Sequence, residues 1–285
     1  MGTSSSITII WHRIIKTLQH NIIMLSAAVI TMFILLSAIF GRFMAPHDPL
    51  ITNISFRLQC PSKSFPLGND ALGRCLFSRI LIGARLSLGI GLTIVFFSCS
   101  FGTLVGLISG YFGNYIDEFF MRITDIFFSF PELVLAMTAA GLLGPGIFNL
   151  ILALSLTSWM RYAKVVRGIT LSVKEQDYVK AARLAGSSKV SIILRHISVS
   201  NIPSIIVLAT LGLAKAILSV SALGFLGFGV QPPNTEWGML LMEGKDYILS
   251  ASHLSFYPGL AIMISVQAFN ILGDGLRDIL DIRLE

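Results

Sequence analysis

The chain has 285 residues, of which 54% are hydrophobic and 13% charged, with a formal net charge of +6 and a mean hydropathy of +0.79. A soluble domain carries about 25% charge, so a fully water-solvated fold is excluded and part of the solvent must be lipid. The basic residues form no stripe interleaved with aromatics but fall between apolar runs, which excludes nucleic-acid binding and points to membrane topology.

In chain order, His12, Arg13 and Lys16 precede an apolar run over 22–40. A signal peptide has an apolar region of about 7–15 residues and a small-residue cleavage site. This run is longer and offers no such site, so a cytoplasmic segment 1–21 and an uncleaved first span over 22–41 are expected. A spanning helix needs about 20 mostly apolar residues. That criterion predicts further spans within 86–111, over 126–143, from 147 onward, within 202–226 and over 254–273. The "GPG" at 144–146 separates the third from the fourth. The fourth must include Arg161 and Lys164, whose long stems reach the interface. The expected fold is an all-α membrane protein of six spans.

Of the 21 Lys and Arg residues, 13 fall on the side of the termini, 7 on the other side, and Lys215 lies inside the fifth span. The positive-inside rule then places both termini in the cytoplasm. It leaves 42–85 outside as a loop and 168–201 inside. Arg74, Arg79 and Arg85 crowd the end of the outer loop and predict an amphipathic helix at the outer surface.

Cys60, Cys75 and Cys99 have no metal-ligand spacing, and an odd count is not a disulfide framework. Cys99 lies in an apolar run and reads as packing. Cys60 and Cys75 share the outer loop, and a bridge between them depends on their Cα separation.

Gly102, Gly106 and Gly110 form two overlapping GxxxG steps in the second span. They strip side chains from one helix face and let another helix approach closely. That neighbour is either within this chain or on a sister subunit.

The loop 168–201 reads as two helices, over 171–185 and from Lys189, joined by "AGSS". Gly186 suits the left-handed residue after a helix end, and Ser187 or Ser188 suits the next N-cap. Ala181, Ala182 and Ala185 leave one side nearly flat, flanked by Lys180, Arg183 and Lys189. Two readings are open: docking into a partner's groove, or a plain hairpin whose charges only enforce topology.

"YVKAARLAGSSKVSIILRHI" resembles the EAA loop of binding-protein-dependent ABC importer permeases. "FPLGNDALGRCLFSRILIGARLSLGIG", "SALGFLGFGVQPPNTEWGMLL" and "FNILGDGLRDILDIRL" are similar to the dipeptide/oligopeptide subfamily, on its second, C-type subunit. The four blocks stand in the family's order and cover nearly all of the chain from residue 20.

The resemblance implies a type I importer transmembrane domain over 22–285 in a bacterial inner membrane. It implies a heterodimer with a second permease subunit, two ATPase subunits that carry Mg-ATP, and an extracytoplasmic solute-binding protein. The loop 168–201 would be the coupling loop, with Asp177, Tyr178, Ala181, Ala182, Arg183 and Gly186 as the coupling residues. The implied cargo is a di- or oligopeptide; similar permeases carry nickel, glutathione or another peptide-like solute.

The chain departs from the pattern at Lys180, where the family has the EAA glutamate, and at Val199, where it has a loop proline, with Pro203 nearby. The fifth-span glutamate of the family falls at Val220, and Lys215 appears instead. An intramembrane charge costs about 2.5–3.5 kcal/mol on insertion scales and faces a polar cavity or a partner. Lys215 is therefore a pathway candidate or pairs with an acid of the sister subunit; the alternative is a residue near the interface that snorkels.

Glu132 after Pro131 reads as a helix start rather than a proton relay. "GDG" at 273–275 lacks the fuller GxGD pattern of intramembrane aspartyl proteases, so no catalytic group is expected. His47, His196 and His253 suggest no metal site. No G-x-x-x-x-G-K-[ST] is present, so no P-loop ATP site or other cofactor is expected on this chain. An ion-coupled carrier using Lys215 and Glu132 is the competing class; it would call for repeats or broken helices.

Overall fold

The computed structural model describes residues 22–280; the N-terminal segment 1–21, with His12, Arg13 and Lys16, and the end of the last family-like block, 281–284, lie outside them. Among the described residues the fold is all-α. Helix α1 spans Ile22–Met44, α2 Leu76–Phe112, α3 Asn114–Phe128, α4 Glu132–Leu143 and α5 Ile147–Val173. Then come α6 at Asp177–Leu184, α7 at Lys189–Phe225, α8 at Trp237–Gly244 and α9 at His253–Leu280. Helices α1, α2, α7 and α9 are long and apolar enough to cross a membrane, and the α3–α4 pair makes a fifth if taken as one span.

The expected third span over 126–143 is not one helix. The chain bends by 90° between α3 and α4. Pro131 cannot donate a helical N–H and disfavours helical backbone at the residue before it, so α3 stops at Phe128 and Glu132 opens a new helix. The Gly144 and Gly146 backbones then take φ values of +83° and +144°. They turn the chain into α5, and the Asn149 Nδ2 donates to the Leu143 and Gly144 carbonyls at 2.7 and 3.2 Å.

The tightest helix pair is α2 against α5. A Cβ placed on Gly102 would stand 2.3 Å from the Trp159 carbonyl oxygen, on Gly106 2.7 Å from that of Ala163, and on Gly110 2.7 Å from Thr170 Cβ. The neighbour of the three-glycine face is thus a helix of this same chain, and the two backbones touch with no side chain between them.

Two apolar clusters fill the bundle. Ile34, Leu88, Leu213, Ile217, Trp237 and Phe269 join α1, α2, α7, α8 and α9. Ile94, Ala136, Leu150, Leu154, Val220 and Leu223 join α2, α4, α5 and α7. Glu236 caps α8: its carboxylate accepts the Gly238 and Met239 N–H groups at 2.9 and 3.1 Å and the Ser87 hydroxyl at 3.1 Å. Burial pushes this carboxyl above the usual carboxylate range, and those donors pull the other way.

The expected amphipathic helix at Arg74, Arg79 and Arg85 is absent. Instead α2 begins at Leu76, ten residues before the expected span, and two of the arginines turn inward. Arg79 is fully buried. It donates to Asp70 at 2.6 Å and to Glu243 of α8. Arg74 donates to Asp70 at 2.6 Å and to Glu243 at 3.2 Å. Each charge has a partner, so the helix can enter the bundle with its basic residues hidden. Arg85 is exposed. Cys60 and Cys75 are both free thiols, the first exposed and the second buried.

Gly106→Leu should separate α2 from α5 and cost about 1–3 kcal/mol of overpacking; the check is a lowered melting temperature of the detergent-purified protein. Arg79→Met should leave Asp70 and Glu243 to share Arg74, one desolvated negative charge uncompensated, and cost about 3–5 kcal/mol. Arg79→Lys, measured in the same melt, should recover part of the loss.

Candidate functional site

The polar hairpin between α5 and α7 starts from a correction. The helix expected over 171–185 is interrupted: α5 continues to Val173, and a turn at 174–176 separates it from α6. Asp177 stands in the first turn of α6, where a negative charge meets the positive end of the helix dipole. Val179 points inward and packs with Leu107, Val166, Val173, Ile192 and Ile197. This apolar plug fastens the hairpin onto the ends of α2 and α5. The Tyr178 and Ser200 hydroxyls are 3.1 Å apart and tie α6 to α7.

The other face of α6 is open. Lys180, Ala181, Arg183 and Ala185 are exposed and Ala182 is half-buried. Leu184 is 90% exposed, and Val190 and Leu194 on the first turns of α7 are exposed as well. Lys180 lies 3.7 Å from Glu175. The joint closes as its residue types require. Gly186 takes φ +80°, and the Ser187 N–H donates to the Ala182 carbonyl at 3.1 Å, a glycine-closed helix end. The Ser188 hydroxyl then accepts the Ser191 N–H at 3.3 Å and caps α7. Val199 is exposed on α7, and Pro203 lies within the helix one turn on.

Ion pairs fasten the base of this hairpin. Arg167 of α5 donates to both oxygens of Asp117 at the start of α3, at 2.5 and 2.6 Å. The Lys174 ammonium donates to the Gly110 carbonyl at 3.0 Å, near the end of α2.

A second polar region lies inside the bundle. Lys215 of α7 pairs with Glu132 of α4, and Glu132 also accepts the Ser158 hydroxyl of α5 at 3.0 Å. The acid expected on a sister subunit is therefore on this chain. Glu132 does open a helix, but its carboxylate is committed to Lys215, a partner 83 residues away that sequence reasoning missed. The pair stays partly open, with side-chain exposures of 44% and 30%. Both groups border a small cavity with Ser98, Ser158, Arg161 and Tyr162. Arg161 also borders a cavity of about 370 Å³ with Ser204 and Arg277.

Among the described residues no group of three or more His, Cys, Asp or Glu could hold a metal ion.

The family model described as "Binding-protein-dependent transport system inner membrane component" matches residues 102–285. The chain is 39% identical to the glutathione transport system permease protein GsiD of Escherichia coli O6:K15:H31 over 279 residues, which covers 96% of this chain and 91% of that protein. The same identity and coverage hold for the proteins of that name from Shigella boydii serotype 4 and Escherichia coli O157:H7. The matched region takes in the α6 hairpin, the α7 helix with Lys215, and α9. The chain belongs to the inner-membrane permease subunits of binding-protein-dependent ABC importers.

Proposed function

We propose that this chain is one of two different permease subunits in an importer of peptide-like solutes, and that its α6 hairpin couples the membrane domain to an ATPase. In this reading the chain crosses the membrane six times, through α1, α2, the bent α3–α4 pair, α5, α7 and α9, with both termini in the cytoplasm. Residues 42–75 and 229–253 face the solute-binding protein. Two ATPase subunits, loaded with Mg-ATP, sit beneath the loop 168–201. The cargo is a short peptide, glutathione being the example that the relatives' names supply.

One observation carries the coupling role: α6 is plugged into the bundle on its Val179 side and bare on its Leu184 side. A plain topological hairpin has no need of a fully exposed leucine beside an alanine face. Such a face suits burial against a partner. The hairpin also leads into α7, which runs for 37 residues, about 55 Å at 1.5 Å per residue. A push at the hairpin is delivered along one helix to the membrane interior. ATP would favour one of two arrangements of the bundle by binding it more tightly.

The test is ATP-driven uptake of a labelled peptide by liposomes that hold the whole complex and its binding protein. Gly186→Leu forces a side chain into left-handed backbone at a cost of about 1–2 kcal/mol and tilts α6 against α7. The expected result is an assembled complex that hydrolyses ATP but takes up peptide at least tenfold more slowly per ATP. Unchanged uptake per ATP would remove the coupling role from this hairpin.

A further inference from the structure

The charged groups along the α5–α7 seam, three of them exposed, form a strip rather than a scatter. The cavity beside Lys215 and Glu132 and the cavity beside Arg277 share Arg161 and Leu208. The two therefore adjoin along the seam of α5 and α7. Glu132 is the only acid that lines either cavity, and Lys215 neutralises it. Neither Arg161 nor Arg277 has an ion-pair partner among the described residues. The surrounding charges are spent elsewhere: Lys164 pairs with Asp125 at 2.7 Å and Arg167 with Asp117. Asp274 and Asp278 share the last turns of α9 with Arg277 but line neither cavity. Among the described residues the strip thus carries two guanidinium groups with no acid paired to them, a hydroxyl at Ser204 and a neutralised pair at its far end.

Arg161 and Arg277 are both exposed on the open side of the seam, and a charge in a spanning helix characteristically faces a water-filled cavity or a partner. The cavity at Arg161 and Arg277 measures about 370 Å³, room for a carboxylate with its neighbouring atoms. The planar fork of arginine matches a carboxylate with two parallel hydrogen bonds. The strip's other end is too deep for a lipid headgroup. Lys215 lies ten residues from the Phe225 end of α7, about 15 Å along the helix, close to the middle of a hydrocarbon layer about 30 Å thick.

We propose that the α5–α7 strip from Lys215 through Arg161 to Arg277 is a recognition path for the carboxylate of an anionic, peptide-like solute. The inference rests on the importer reading above and narrows its substrate class. An arriving carboxylate competes with Glu132 for Lys215 and then moves to the arginines, so a compensated cation is always near it. An amidated cargo offers no such exchange and gains nothing from the strip.

The experiment compares a labelled tripeptide with its C-terminal amide in liposomes holding the full complex. Each is used at a concentration that saturates the binding protein, and uptake is expressed as variant over wild type. This ratio cancels the binding protein's own preference. For Arg161→Gln combined with Arg277→Gln, the expected result is a loss of at least tenfold for the free acid and less than threefold for the amide, with ATP hydrolysis retained. Arg161→Lys with Arg277→Lys keeps the charge and should restore most of the acid's uptake, which separates recognition from a folding defect. Equal losses for acid and amide, or no loss for either, would overturn the proposal. So would a variant effect that disappears in vesicles of purely zwitterionic lipid, because the arginines would then be answering to net-anionic lipid headgroups rather than to the cargo. If wild type moves neither cargo, the peptide-like substrate of the proposed function falls and the strip's role with it; if it moves both and the variant treats them alike, only the strip's role falls.

Discussion

The arrangement depends on the contact of α2 with α5 through glycine. At Gly102, Gly106 and Gly110 the α2 backbone meets the α5 backbone with no room for a Cβ. Helix α5 needs this contact more than its neighbours do, because it carries Arg161, Lys164 and Arg167 and is not apolar enough to set its own position in lipid. A close seam fixes both its depth and its rotation. The rotation decides where its polar side chains point: Arg167 toward Asp117, Ser158 toward Glu132, and Arg161 into the cavities along α7. A side chain on any of the three glycines would turn all of these together.

The bundle holds two kinds of ion pair with different consequences. Arg74 and Arg79 meet Asp70 and Glu243 in a network in which Arg79 has no exposure at all. Such a network is expensive to open because any single loss leaves one desolvated charge uncompensated among the remaining three. It anchors the outer loop to α2 and α8. Lys215 and Glu132 are instead partly exposed, so water or a solute can take the place of either partner at lower cost. The first cluster is suited to holding shape and the second to exchange, which is the property the proposed cargo path draws on.

Much of this was legible in the sequence where the signal is local. The long apolar runs located α1, α2, α7 and α9, and "AGSS" gave the joint at Gly186 with Ser188 as the cap. Glycine spacing gave a close helix face, while which helix would fill it was open, since spacing carries no information about the neighbour. The misreadings share a cause. Arg74 and Arg79 read as a surface helix because their acids lie four to 169 residues away and become neighbours only on folding. The third span read as continuous because composition across Pro131 stays apolar while its geometry does not. The Lys215 partner was sought on another subunit for the same reason: nothing local links it to Glu132.

Helix α7 joins the hairpin to the charged strip, and its irregular section shows how it can do so without buckling. Between the two lie a π-helical turn over Ile193–Ile197 and Pro203, both of which loosen the backbone ladder. Side chains refill the acceptors that this turn leaves strained. The Ser198 hydroxyl donates to the Ile193 carbonyl at 2.7 Å, Ser200 to His196 at 3.1 Å and the Asn201 amide to Ile197 at 2.9 Å. Ile192 and Ile197 are meanwhile buried against Val166, Val173 and Val179. The irregular turn is thus clamped from the side and bonded along its length. Lys215 stands on this same helical run, so in the proposed coupling the element that receives the stroke also carries one half of the exchangeable ion pair.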